Sequence, residues 1–259
     1  MSTHLLAWQE SIDQASLGRI NAVVDDVVTT DGVDRFFVPN DYNWIRWAMA
    51  TGPSLSRAQV VAPSLTVKRM NLEVVPRMDD AELLDLAKMP IFIPARPISL
   101  VPSESIEFQT AEDGSSGTQQ DGFVALGPEI LPDMPSGDIR VARASGSTTL
   151  VARTWTTVSL TLDSSLEPGR YTLVGFLPNS ATAVAARMLF EGQTWRPGMP
   201  GLAGAEDVAM EFSLENVRRV MWYSMGEFTH TRVPQIQFFA TSTDSAQVVI
   251  LYIIRTGDA

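Results

Sequence analysis

Along the C-terminal half of the chain, hydrophobic and polar residues alternate with a period of two, which predicts strands with one wet and one buried face. Residues 157–163 alternate strictly, with Val158, Leu160 and Leu162 on one side. The turn Leu166-Glu167-Pro168-Gly169 follows, and residues 170–177 resume as a strand. Residues 138–144 and 148–154 flank Ser145-Gly146-Ser147 and read as a hairpin. In a strand at 234–241 residues 235–238 alternate again, whereas 248–254 are continuously apolar, which predicts a central strand buried on both faces. Segments 206–213 and 218–223 add two shorter strands. Residues 181–190 carry alanines that favour helix, and Val184, Leu189 and Phe190 that suit a buried strand; the surrounding strands favour the latter.

The N-terminal half mixes periods. Residues 1–18 read as a helical arm: Thr3 caps it, Leu5, Leu6, Trp8, Ile12 and Leu17 fall roughly on one face, and Gly18 ends it. Such a face packs on the body or on a neighbouring subunit, so Leu5, Trp8 and Ile12 are contact candidates. Residues 20–30 are rich in β-branched side chains, Asp31-Gly32 signals a turn, and 34–39 form a short strand. Asn43 caps a second short helix with Trp44, Ile45 and Trp47 on its apolar side, broken at Gly52-Pro53. Residues 65–76 alternate as a strand. A third short helix spans 79–88, with acidic residues in its first turn and Lys88 in its last. Strands at 105–110 and 122–127 flank an exposed loop over 112–117.

Roughly a dozen short strands and three short helices define a mostly β fold, an antiparallel sandwich of the jelly-roll type with a few short helices. The arm would occupy 1–18 and the sandwich 19–259, with the Pro/Gly-rich connection at 130–137 as the place where the sandwich would subdivide.

Composition narrows the function classes. Of 259 residues, 45% are hydrophobic and 19% charged, enough apolar material for a sizeable core. The net charge of −11 repels phosphate backbones, so no direct nucleic-acid binding is expected. The absence of cysteine removes disulfides, thiolate nucleophiles and cysteine zinc sites together. The N-terminus lacks a basic-then-apolar signal. The apolar stretch 248–254 is far shorter than the ~20 residues of a membrane-crossing helix, so no transmembrane segment is expected.

No nucleophile elbow or phosphate-binding glycine loop occurs, and Gly198-Met199-Pro200-Gly201 carries a proline where a phosphate wants N–H donors. No cofactor, metal or catalytic residue is therefore assigned. The only candidate bases are His4 and His230, and His230 reads as an edge residue in a polar segment. The carboxylate pairs Asp25-Asp26, Glu104 with Glu107, and Glu112-Asp113 read as solvated faces or loops, and the helix-capping role of Asp79 and Asp80 already explains that cluster. Of six tryptophans, Trp195 stands in a Gly/Pro loop at 195–204 and is, with Met199, a candidate for subunit or ligand contact.

The segment 165–176, Ser-Leu-Glu-Pro-Gly-Arg-Tyr-Thr-Leu-Val-Gly-Phe, followed by the Ala-rich stretch and the Gly/Pro loop to Gly201, resembles jelly-roll coat proteins of icosahedral viruses. The resemblance implies a virion protein made in the host cytoplasm, self-assembling into a capsid shell with its own copies and other capsid proteins, and non-enzymatic. Many coat proteins of small RNA viruses carry a basic N-terminal arm; the mixed charge here is closer to those of double-stranded DNA viruses. The alternative is a carbohydrate-binding or receptor-recognition sandwich with a glycan as partner.

Overall fold

The computed structural model describes residues 2–52, 54–68, 71–74, 76–77, 91–112, 117–201 and 219–258. The chain divides into two compact units, Leu5–Glu129 and Ile130–Ala259, the latter joined by Met1–His4. The first comprises β1 (His4–Ile12), β2 (Gly18–Arg19), β3 (Asn21–Ala22), β4 (Thr30–Asp31), β5 (Arg35–Phe37), β6 (Trp44–Thr51), β7 (Leu55–Val61), helix α1 (Pro63–Val67), β8 (Leu72–Val74), β9 (Pro76–Arg77), β10 (Ile98–Ser99), β11 (Ser105–Glu112) and β12 (Thr118–Gly127). The second comprises β13 (Ile139–Gly146), β14 (Trp155–Val158), β15 (Thr161–Leu162), β16 (Arg170–Asn179), β17 (Ala183–Leu189), β18 (Gly198–Pro200), β19 (Gly226–Thr229), β20 (Gln235–Ala240) and β21 (Gln247–Gly257).

Each unit is a pair of sheets, antiparallel except where β9 runs parallel to β6. In the first, sheet 1 runs β10-β6-β12-β1-β3 and sheet 2 runs β4-β5-β11-β7-β8, with β2 also on β11. In the second, sheet 3 runs β15-β13-β21-β16-β19 and sheet 4 runs β14-β20-β17-β18. The wiring becomes plain when the main strands of each unit are counted in chain order. These are β1, β5, β6, β7, β8, β10, β11 and β12 in the first unit, and β13, β14, β16, β17, β18, β19, β20 and β21 in the second. Both units then have one sheet ordered first–eighth–third–sixth and another ordered second–seventh–fourth–fifth. That is the jelly-roll wiring, used twice.

Cores follow from the alternation. In the first roll Trp8 is fully buried, its ring 5.0 Å from Phe36 and 5.8 Å from Phe108, and its indole N–H donates to the Asp34 carbonyl at 3.0 Å. In the second, Val249, Leu251 and Ile253 of β21 point inward, fully buried beside Leu173 and Phe176. Tyr171 stacks on Phe228 and donates its hydroxyl to the Glu167 carbonyl at 2.8 Å, tying the turn before β16 to the core.

Several expectations are corrected. The N-terminal segment is strand β1, not a helical arm. Its run from His4 to Trp8 is buried at every residue, and a run covered on both faces has no period to separate strand from helix. The same reason makes residues after Asn43 strand β6. Helix α1 takes the start of the 65–76 segment because Pro63 sits at its first turn, where a proline has no N–H to waste. It is the single helix among the described residues, and the helix expected at 79–88 lies outside them. Residues 157–163 split between β14 in sheet 4 and β15 in sheet 3, because the chain changes sheets there. Residues 138–144 pair not with 148–154 but with β21 and β15, as the first strand of a jelly roll pairs with the eighth.

Candidate functional site

The outer face of sheet 4 holds the most polar buried cluster of the second roll. Register aligns Thr157, Gln237 and Arg187 in one row across β14, β20 and β17. Arg187 is only 1% exposed; its Nε donates to Gln237 Oε1 at 2.7 Å, and its guanidinium lies 4.2 Å over the Trp155 ring. Gln237 in turn donates to Thr157 Oγ1 at 3.1 Å and accepts from Arg196 Nη1 at 3.0 Å. A buried guanidinium needs such partners, because leaving it unpaired costs far more than the bonds return.

Arg196 links this row to the loop that carries Trp195. The Arg196 backbone N–H donates to His4 Nδ1 at 3.2 Å, and the Trp195 ring meets His4 edge-on at 5.5 Å. His4 is fully buried and accepts at Nδ1, so its proton sits on Nε2. Thr3 adds a 2.8 Å hydroxyl bond with Tyr223, fixing the N-terminal residues on the second roll.

Beside this cluster opens a cavity of about 590 Å³, bordered by Phe190, Glu191, Arg196, Glu227, Phe228 and Arg232. Its size is that of a small-molecule site. The Glu191–Arg232 ion pair at its edge is about 70% exposed on both sides and contributes little stability. A second hollow of about 420 Å³ lies in the first roll beside α1, among Val61, Pro63, Val67, Arg19 and Glu107.

The carboxylates weighed as acids or bases accept from backbone N–H groups or, for Glu107, pair with an arginine. Glu104 accepts from the Ser64 N–H at 2.8 Å, the Ser64 hydroxyl, and the Val101 N–H at 2.7 Å, stapling α1 to the segment before β11. Glu107 pairs with Arg19 at 2.6 Å. Asp25 accepts from the N–H groups of Val27 and Val28. Glu112 accepts from the Thr118 N–H and hydroxyl, while Asp113 and Asp79 lie outside the described residues. His230 accepts the Gly169 N–H at 3.3 Å, joining two loops. Among the described residues no group of three His, Asp or Glu side chains could hold a metal ion. No described helix is long and apolar enough to cross a membrane.

Of the contact candidates, Leu5, Trp8 and Met199 are fully buried, so their side chains are spent on the cores. Ile12 and Trp195 are half-buried and keep accessible surface. Arg187 was missed, because an arginine inside Ala-Val-Ala-Ala-Arg-Met-Leu carries no signal of burial.

Missed too was an apolar strip on the outer face of sheet 3. Strand β21 is central, but it is not buried on both faces: its outward Val248, Ile250 and Tyr252 are half-exposed. On the neighbouring β13, Val141 is 65% exposed and Ile139 43%.

Two sandwiches of like wiring make the chain a tandem jelly-roll protein. No protein-family model matches it, and no curated protein does. Among solved structures it is similar to the major capsid protein P2 from Bacteriophage PM2, at 10% identity over 97% of this chain and 98% of that one, with a TM-score of 0.24.

Proposed function

We propose that this chain is a coat subunit of an icosahedral virion, acting by assembly rather than catalysis. The observation that carries the reading is the repetition of one jelly-roll wiring in a single chain. Jelly rolls build viral shells and lectins, and two rolls per chain suit a closed lattice. A ring of three chains brings six rolls together and fills a sixfold position, an economical use of cyclic symmetry. The acidic charge leaves genome contact to other components, so the partners are further copies and other capsid proteins. Size-exclusion chromatography with light scattering, followed by negative-stain microscopy, tests this. Rings of three chain masses or closed shells are expected; a strictly monomeric chain at high concentration overturns it.

The second reading is glycan recognition, favoured by the cavity that Arg196 borders, next to half-buried Trp195. Glycan-array binding lost in Trp195→Ala would support it, and a blank array removes it.

A further inference from the structure

Strands β11 and β12 follow one another in the chain but lie in different sheets of the first roll, so their inward side chains meet across the core. Two contacts fix how they meet. Phe108 of β11 packs against Gly122 of β12, where a Cβ atom would come within 2.5 Å of the ring. Glu112 of β11 accepts from the N–H and the hydroxyl of Thr118 on β12. Between these contacts each strand has one further residue on its inward side, Thr110 on β11 and Gln120 on β12.

Thr110, Glu112 and Gln120 thus form one layer inside the roll, exposed by 0%, 1% and 0%. Yet the Thr110 hydroxyl, Glu112 Oε2 and both amide atoms of Gln120 have no hydrogen-bond partner. Buried polar groups are nearly always paired, and a buried charge without a counter-charge is costlier still. Burial pushes the Glu112 carboxyl up, but Thr118, with Gln120 close by, holds it below the usual glutamate value, so it is charged at neutral pH. The partners of its Oε1 are neutral, and its Oε2 has none. Further oxygens stand at the rim. The Ser11 hydroxyl donates to the Gly117 carbonyl and Gln119 Nε2 to Gln9 Oε1, both at 2.9 Å, which brackets half-buried Glu10 on the side of β1 it shares with Trp8. The Gln14 amide fills the space over Gly18, the register partner of Thr110.

We propose that this layer binds one hard metal cation, held by Glu112 Oε2, Gln120 Oε1 and the Thr110 hydroxyl oxygen. Such ions take carboxylate, amide and water oxygens in adaptable arrangements, which is what a layer drawn from two sheets offers. Mg²⁺, which demands near-ideal octahedral geometry and sheds water reluctantly, suits it less. Na⁺ and Ca²⁺ are of nearly equal size, and the charge separates them: Glu112 alone balances Na⁺, whereas Glu112 with Glu10 balances Ca²⁺. Either ion would join the two sheets where the β11–β12 connection crosses between them. Because only the folded roll assembles the ligands, the ion adds stability as its concentration rises. This inference does not depend on the coat-subunit reading.

The test is the melting temperature of the full chain, stripped with a chelator, held in choline chloride, and then moved into NaCl, CaCl₂ or MgCl₂ at equal ionic strength. At about ten times its Kd the bound ion should raise the melting temperature by about 3–6 °C, for Na⁺ or Ca²⁺ and not for Mg²⁺. Gln120→Leu keeps the volume, removes a ligand and should abolish the shift. Thr110→Val, which deletes only the hydroxyl, checks the same point should Gln120→Leu fail to fold. Glu10→Gln identifies the ion: it should weaken the response to Ca²⁺ at least tenfold and leave a response to Na⁺ intact. If neither ion moves the melting temperature relative to choline, or if the shift survives undiminished in Gln120→Leu or Thr110→Val, the site is overturned.

Discussion

Gly122 sits in β12 where a Cβ atom would lie 2.5 Å from the Phe108 ring. A glycine inside a strand is weak on its own, and here it lets an aromatic ring from the other sheet come close. Gly122→Ala should therefore overpack the first core and cost about 1–3 kcal/mol in urea unfolding. Trp8 makes the opposite case. As a buried bridge to Phe36 and Phe108, its replacement by Ala should cost about 3–5 kcal/mol, a large share of the ~5–15 kcal/mol that holds a typical domain. Were Trp8 a subunit contact, Trp8→Ala would weaken association and leave monomer unfolding untouched.

Between strands, the last connection of each roll is tied by a carboxylate. Burial pushes Glu112 up, yet the Thr118 hydroxyl and N–H, with Gln120, hold it below the usual glutamate value. Burial likewise raises Asp244, and bonds from the Ser180 hydroxyl and the N–H groups of Ala246, Ala181 and Ser245 bring it below the usual aspartate value. Because both are depressed in the folded state, their contribution is complete above the unfolded carboxylate range near pH ~4 and is lost as the pH falls through the folded values. Melting temperature should stay flat from about pH 8 to 5 and drop below about 4. Asp244→Asn should lower it at neutral pH, by about 1–3 kcal/mol of stability, and flatten the acid limb. Strands with one wet face were legible because alternation marks them, as in β8, where Leu72 and Val74 are buried on either side of exposed Glu73. Strands β1 and β6 were not, since a face-to-face buried run has no period. Nor could sheet membership be read where β14 and β15 share one unbroken alternation. At the candidate site, the Gly/Pro loop pointed to Trp195, whereas the half-exposed side of β21 was hidden inside an apolar run.

For the molecule as a whole, the charge of −11 sets an expectation independent of the fold: the purified chain should not retard duplex DNA at ~0.15 M salt in a gel-shift assay. A salt-dependent shift would require a local basic surface. Repetition of the wiring has another consequence. In each roll the first main strand pairs with the eighth, β1 beside β12 and β13 beside β21, so the chain enters and leaves a roll through adjacent strands of one sheet. A roll built this way is a closed module in sequence as well as in space. It tolerates being copied in line, and by the same geometry it should accept circular permutation, with new ends opened in a surface connection and the old ones joined by a short linker.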